Sequence, residues 1–332
     1  MKTILIIGST GAMGTTVARS LLGDEENKWG VVGFTRNTES QQARDLVAIS
    51  PERVTLVKGD VEDVESLRTA MEGVDAVFCN TAFFSTASVQ GEYSQGMNAL
   101  DAAKDLGVDH FIYSSLDSVT RISDGRLSVP HYDAKAAVEA EIDKRRSDEF
   151  MRQETAGWYR NHVSVLVTCP YIENFYDFFV PRDGSLSDGR SGKIFRSPMT
   201  GSGKWQMVAL EDLGEFARLM FADRKQWGGR TLRIASEELS MQEIVEQFEE
   251  TTGIPAAFEP MTDEEFRGLG SEYAHDLLNN VLMYRQGDYG KRDYARLRLL
   301  NPSLRSFKSW LVETGWKGEP RAMRKNAADG DS

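Results

Sequence analysis

Three glycines at every third position, Gly8, Gly11 and Gly14 in Gly8-Ser9-Thr10-Gly11-Ala12-Met13-Gly14, offer the first recognisable chemistry in this sequence. They directly follow the apolar run Thr3–Ile7 and precede Val17, Ala18, Leu21 and Leu22 at helical spacing, so the loop joins a strand to a helix. One glycine permits the tight turn, a second lets the backbone approach a pyrophosphate with no Cβ in the way, and the last lets helix and strand pack closely. The helix N-terminus adds unpaired N–H donors and a partial positive charge. The expected ligand is a dinucleotide cradled by Gly8, Thr10, Gly11, Ala12, Met13 and Gly14.

The ends of the next strands refine that ligand. The second apolar run, residues 30–34, leads into Thr35-Arg36-Asn37, where NAD-binding chains usually carry an acid for the ribose hydroxyls. Arg36 is instead a fork-shaped cation suited to a 2′-phosphate, which points to NADP(H). After the third run comes Gly59-Asp60-Val61, expected beside the adenine; Asp60 could accept from its exocyclic amine or cap the following helix. After the fourth come Asn80, Thr81 and Ala82, then Phe83 and Phe84, expected to line the ribose and nicotinamide.

A second constellation lies further on, in His131-Tyr132-Asp133-Ala134-Lys135. On a helix, His131 and Lys135 share a face, whereas Tyr132 points elsewhere. Lys135 puts a cation on that face. His131 is of the right type to donate a proton near neutral pH, or else it serves the helix start just after Pro130. Ser114 and Ser115 end the fifth run, where either could cap the next element. The aromatic group Tyr171, Phe175, Tyr176, Phe178 and Phe179 could wall an apolar pocket over the nicotinamide or pack the two parts of the chain together.

These residues need a scaffold, and the first half supplies one. Short apolar runs (Thr3–Ile7, 30–34, 54–57, Ala76–Cys79, 111–113 and Val163–Val167) alternate with helical faces such as Met97, Leu100, Ala103 and Leu106. That alternation implies βαβ units and an α/β fold, a Rossmann-type doubly wound parallel sheet, with a smaller C-terminal α/β part for substrate or partner. The boundaries expected are 1–170 for the dinucleotide-binding domain, 171–317 for the smaller part, interleaved or not with the first, and 318–332 for a disordered tail. Residues 144–161 read as a solvated helix end or a partner-binding element. Thr231–Ala235 reads as a short strand, and Ser240 with Glu243 as a capping box opening a helix that ends near Gly253.

Composition narrows the functional classes. The 332 residues are 40% hydrophobic and 27% charged, enough for a packed core, and the net charge of −12 opposes direct nucleic-acid binding. Cys79 and Cys169, the only cysteines, both sit in apolar runs and read as core residues. The four histidines show no metal-ligand spacing, so no metal is expected. The N-terminal apolar run is too short for a secretion signal, and no stretch approaches a membrane span. A cytoplasmic protein is expected, with a nuclear location and a homodimer left open.

The glycine loop, Thr35-Arg36-Asn37, Gly59-Asp60, Tyr113-Ser114-Ser115, the His131 to Lys135 segment and Pro170-Tyr171-Ile172-Glu173-Asn174 together resemble the NmrA-like family of atypical short-chain dehydrogenase/reductases, over residues 2 to 316. The resemblance looks closest to the branch of NADPH-sensing regulators, and it adds Tyr171 and Asn174 to the cofactor residues. It implies one of two roles. Some members reduce quinones, azo compounds or plant phenolics with NADPH, which here would mean a small quinone, imine or enone acceptor. Others bind NADP(H) and regulate a protein partner such as a transcription factor. In the usual Tyr-x-x-x-Lys of short-chain dehydrogenases the lysine holds the nicotinamide ribose, the role the resemblance implies for Lys135, and the substrate-side serine falls at Ser114 or Ser115, of which Ser115 is the one assigned to the site; the tyrosine is altered here, with His131 standing in its place. Acceptors that need no strong acid fit that departure, and so does cofactor binding without turnover.

Overall fold

Isoleucine, valine and phenylalanine dominate the runs that alternate along the first half, and burial on both faces explains why. In the computed structural model, which describes residues 1–269 and 273–322, seven strands form one parallel sheet. They are β1 (Thr3–Ile7), β2 (Gly30–Thr35), β3 (Val54–Lys58), β4 (Ala76–Cys79), β5 (His110–Ser115), β6 (Val163–Val167) and, much later, β10 (Thr231–Arg233). Strands β4, β5 and β6 are buried throughout, as expected where helices cover both sheet faces. The order β10-β6-β5-β4-β1-β2-β3 reverses direction beside β1, because β2 and β3 extend one way and β4 to β6 the other. Ile7 pairs with Phe34 on one side and Cys79 on the other, so the C-terminal ends of β1 and β4 lie side by side at the switch point, where open sheets of this kind form a ligand crevice.

Helices fill both faces. On one lie α1 (Ala12–Leu22), α2 (Gln41–Ile49) and the long-range partner α9 (Leu210–Ala222); on the other lie α3 (Val64–Met71), α5 (Val89–Asp105) and α7 (Pro130–Met151), with the short α4 (Phe83–Thr86), α6 (Val119–Ile122) and α8 (Trp158–His162) between them. Side-chain caps fix several starts: Ser40 for α2, Asp63 for α3 and Ser88 for α5, while Pro130 takes the first turn of α7. Asp63, not Asp60, caps α3, which corrects the capping alternative for Asp60. Helix α9 approaches α1 closely: a Cβ on Gly214 would lie 2.7 Å from the Thr16 carbonyl oxygen.

The second half does not form a separate layer from the start. After β6 the chain leaves the sheet, returns through α9 and adds β10 as the seventh strand, with Leu232 opposite Leu166. The expected short strand is thus present as Thr231–Arg233 and pairs with β6, a parallel partner reached through the crossover that α9 provides. The remainder builds β7 (Arg182–Ser185), β8 (Ser191–Ser197) and β12 (Ala256–Pro260) into one small sheet, and β9 (Trp205–Met207) with β11 (Glu237–Leu239) into another. Ser240 and Glu243 form the expected capping box of the helix Met241–Thr252, which ends at Gly253 with φ +70. Residues 144–161 are more than a solvated helix end, since α8 follows with Trp158 buried and its Nε1 donating to the Val108 carbonyl at 2.9 Å. At the C-terminus, the Arg321 amide donates to the Tyr176 carbonyl at 3.1 Å; residues 323–332 of the expected tail lie outside the described residues.

One buried polar contact gives the fold an acid sensitivity. His110 opens β5, packs edge-on against Phe221 and shares a 2.7 Å hydrogen bond with the Ser164 hydroxyl. Burial pulls its pKa down to about 3 from 6.5, and nearby Arg224, His162 and Lys2 push the same way. The unfolded chain thus binds a proton that the folded chain refuses. Stability should fall as pH drops from about 6.5 toward about 3. Denaturant midpoints measured across that window should lose part of their slope in His110→Phe; an unchanged slope would show that other groups carry it.

Candidate functional site

The crevice beside β1 begins at Gly8, whose φ of +80 suits a residue without a Cβ. Its carbonyl accepts from the Gly11 amide at 3.2 Å and closes the turn. Ser9 donates to the Phe34 carbonyl at 3.0 Å and Thr15 to the Ser9 carbonyl at 3.1 Å, which ties the loop to β2 and α1. A Cβ at Gly8 would lie 2.6 Å from the Asn80 carbonyl oxygen, and one at Gly14 would lie 2.2 Å from the Gly8 carbonyl oxygen. Both glycines are therefore required by close approach. Gly11 is the N-cap of α1 and no side chain caps that end. The first-turn amides, including those of Ala12 and Met13, are left to whatever enters the loop. Met13 turns its own side chain inward, where its sulfur accepts from Ser114 at 3.2 Å, so its contribution to the loop is its backbone. Thr10 is half-buried at the loop's rim.

The neighbouring strand ends hold Arg36 and Asp60. Arg36 is exposed directly after β2, in a turn where the Asn37 amide donates to the Thr35 hydroxyl and the Glu39 amide to the Asn37 side chain. After β3, Gly59 sits against Phe34, since a Cβ there would lie 2.4 Å from that ring. The Asp60 amide donates to Ser66 at 3.0 Å, its carboxylate accepts from the Glu62 amide, and the Val61 carbonyl accepts from the Asn98 side chain at 3.1 Å. These contacts fix the turn beside the β2 end.

On the other flank, α7 sends Lys135 to the end of β4. The ammonium donates to Asn80 Oδ1 at 3.2 Å, to the Thr81 carbonyl at 2.8 Å and to Thr81 Oγ1 at 3.0 Å. It also pairs with Glu92 Oε1 at 2.9 Å, and Thr81 Oγ1 donates to the same oxygen at 2.8 Å. Lys135, Asn80, Thr81 and Glu92 are all buried. Burial raises the thiol of nearby Cys79 to about 12, with Lys135 opposing and Glu92 assisting. Glu92 was not legible as a site residue: it lies one turn into α5 and has no spacing signature. Asn80 thus touches both halves of the crevice, meeting Gly8 through its backbone and Lys135 through its side chain.

The other candidates are placed as follows. His131 lies on α7 with its Nδ1 hydrogen-bonded to the Asp276 carboxylate, and because a carboxylate accepts, Nδ1 carries the hydrogen. Around His131 stand Phe83, Phe84 and Tyr132, and Phe84 in turn meets Tyr273 with ring centres 4.8 Å apart. Ser115 donates to Glu139 at 2.9 Å, whose other oxygen takes Arg233 of β10 at 2.7 Å. Tyr132 points into the second-half core, its hydroxyl 3.5 Å from that of Tyr284. Tyr171 bridges to Val208, and the Asn174 carbonyl accepts from the Phe178 and Phe179 amides. Between them Glu173 accepts from the Leu210 amide and from Trp310 Nε1; burial pushes its pKa up to about 7. Of the aromatic group after β6, Phe175, Tyr176 and Phe179 pack with Phe195, Trp205, Trp310 and Trp316. The packing alternative is the one observed for those three. The rings that face the site side of α7 are instead Phe83 and Phe84.

Comparison with known proteins agrees with this architecture. The model of the NmrA-like family matches residues 1–318. A relative from Aspergillus hancockii, the NmrA-like family domain-containing oxidoreductase hkm9, is 28% identical over 270 residues, covering 80% of this chain and 76% of its own. Among solved structures, the negative transcriptional regulator NmrA in complex with NADP superposes with a TM-score of 0.71 at 20% identity, over 94% of each chain. The NADPH-dependent quinone oxidoreductase QOR2 of Escherichia coli, complexed with NADPH, gives 0.68 at 17% identity, over 94% of this chain and 100% of its own. At such identities the superpositions speak for the fold. Among the described residues no helix is long and apolar enough to cross a membrane.

Proposed function

Because the chain belongs to the NmrA-like family, we propose that it binds NADP(H) in the crevice beside β1 and uses NADPH to reduce a small planar acceptor such as a quinone, imine or enone. The observation that carries this reading is the meeting of two devices at Asn80: a glycine cradle that a Cβ would fill, and the buried Lys135 cluster. The cradle fits a pyrophosphate, because uncapped helix amides and close backbone approach suit an anion without a side chain in the way. Arg36 would take the 2′-phosphate, Asp60 and Val61 would flank the adenine, and Asn80, Thr81, Ala82 and Lys135 would hold the nicotinamide riboside. Tyr171 and Asn174 are assigned to the nicotinamide side by resemblance alone.

Bound NADPH supplies a hydride. What the chain adds is position and a restricted supply of protons. Ser115 donates to Glu139 and the Tyr132 hydroxyl faces Tyr284. These engagements favour acceptors whose reduction needs no strong acid from the protein. A quinone that takes a hydride becomes a hydroquinone anion, and water can supply its proton. An iminium ion needs none. Phe83 and Phe84 offer ring surface for a flat acceptor beside His131. The same engagements also favour a second reading, a sensor that reports NADPH against NADP to a protein partner without turnover.

The test is NADPH consumption by the purified chain against a panel of quinones, imines and enones, followed at the nicotinamide absorbance. Turnover on one class supports the reductase. Tight binding with no turnover across the panel supports the sensor. Specificity has its own check: Arg36→Asp should weaken NADPH by about 10- to 100-fold and NADH far less, since one charge-assisted hydrogen bond is worth about 1.5–3 kcal/mol. Equal losses for both would place the phosphate elsewhere.

A further inference from the structure

Glu92 stands outside every motif that the sequence singled out, yet it is the counter-charge of the residue most central to the site. We propose that Glu92 is the positioning residue for Lys135, fixing its ammonium at the end of β4 where the nicotinamide ribose would lie; this rests on the cofactor reading above. An ammonium has three N–H donors, and Lys135 has four acceptors within 3.2 Å: Asn80 Oδ1, the Thr81 carbonyl, Thr81 Oγ1 and Glu92 Oε1. One acceptor is surplus, so the lysine can exchange a neutral partner for a hydroxyl while its ionic partner stays. The partner with the strongest claim is the carboxylate, because a charge pair out of water interacts far more strongly than an ion with an amide.

The arrangement around Glu92 is unlike that of an ordinary structural pair. Its side chain is wholly buried, while that of Lys135 is 11% exposed. One carboxylate oxygen accepts from both Lys135 and Thr81, and the other, Oε2, has no hydrogen-bond partner among the described residues. A buried acceptor left without a donor is costly, and an apolar pair of similar volume would serve packing better. The three elements that meet here are α5 with Glu92, α7 with Lys135 and the end of β4 with Asn80 and Thr81. Since the Asn80 carbonyl lies where a Cβ of Gly8 would be, the Asn80 backbone packs against the glycine turn, and the pair registers the lysine against the pyrophosphate cradle.

A role confined to the nicotinamide half predicts a selective defect. The full chain, wild type and Glu92→Gln, is titrated with NADPH and with adenosine 2′,5′-bisphosphate, which keeps the 2′-phosphate but lacks the nicotinamide ribose. Glu92→Gln should weaken NADPH by about 10-fold and leave the bisphosphate unchanged within about 2-fold. Glu92→Asp, which keeps the charge but draws it back from Lys135, should show the same selectivity at about 3-fold and serves if Glu92→Gln does not fold. Adding Glu92→Gln to Lys135→Ala should cost NADPH affinity nothing further. Equal weakening of both ligands would reduce Glu92 to a support of the fold, and unchanged NADPH binding would remove it from the site; either overturns the proposal. Wild-type chain that binds neither ligand would overturn the cofactor reading itself, and this inference with it.

Discussion

Gly14→Ala is expected to lower NADPH affinity by about 100-fold through a single added methyl group. The added Cβ would lie 2.2 Å from the Gly8 carbonyl oxygen, 2.8 Å from the Gly8 carbonyl carbon and 2.8 Å from the Ser9 Cα. All three are backbone, so no side chain can swing aside. The N-terminus of α1 must then move away from β1, which drags the uncapped amides off their anion and opens the Gly8 turn. Overpacking of this kind costs about 1–3 kcal/mol of stability, small enough that the variant should still fold. Calorimetric titration with NADPH reads the affinity, and a denaturant melt reads the stability. Affinity within about threefold of wild type would show that the loop is not the pyrophosphate site.

Arg292→Ala is expected to cost about 3–5 kcal/mol of folding stability, the value typical when one partner of a buried ion pair is removed. Arg292 and Asp117 are both buried, and they meet twice, at 3.0 and 3.3 Å. The same guanidinium donates to the Ile234 carbonyl at 3.1 Å, the Thr168 carbonyl at 3.2 Å and the Gly290 carbonyl at 2.9 Å. Asp117, Thr168 and Ile234 follow the C-terminal ends of β5, β6 and β10, so one side chain ties three strand ends to the segment before the helix Tyr294–Leu300. Its loss leaves the buried Asp117 carboxylate without its counter-charge, with only the Gly290 amide still donating to it, and takes a donor from the Ile234, Thr168 and Gly290 carbonyls, of which that of Gly290 keeps Gln206 Nε2. Urea unfolding of the variant and of Arg292→Met with Asp117→Leu separates the causes: the double variant should recover most of the loss, because it buries no unpaired charge. A single-variant loss below about 1 kcal/mol would contradict this role.

The sequence revealed most where the candidate site is built from contiguous residues. The glycine loop, Arg36 and the ends of β3 and β4 are each legible because a strand end and the turn after it are contiguous, and a period of two or of 3.6 residues marks what flanks them. The spacing of His131, Tyr132 and Lys135 on one helix also sufficed to turn Tyr132 away from Lys135. What could not be read joins residues far apart in the chain. Glu92 reaches Lys135 across 43 positions, Asp276 reaches His131 across 145, and Arg292 reaches Asp117 across 175, as the residue numbers give directly. No local period encodes such pairs. The aromatic residues after β6 misled for a related reason: their composition suits a pocket wall and a core equally, and only the tryptophans of the C-terminal helix and strands decide that Phe175, Tyr176 and Phe179 are core. The return of residues 231–233 to the large sheet follows the same rule, since edge pairing is set by the crossover and not by the strand's own sequence.

Binding of NADP(H) in the crevice between the ends of β1 and β4, with the phosphate-bearing form preferred, is what we propose. It is tested most directly by calorimetric titration of the full chain with NADPH and NADH at one ionic strength. One molecule of NADPH should bind per chain, at least about 10-fold more tightly than NADH. Equal affinity for the two, or no binding of either, would contradict it.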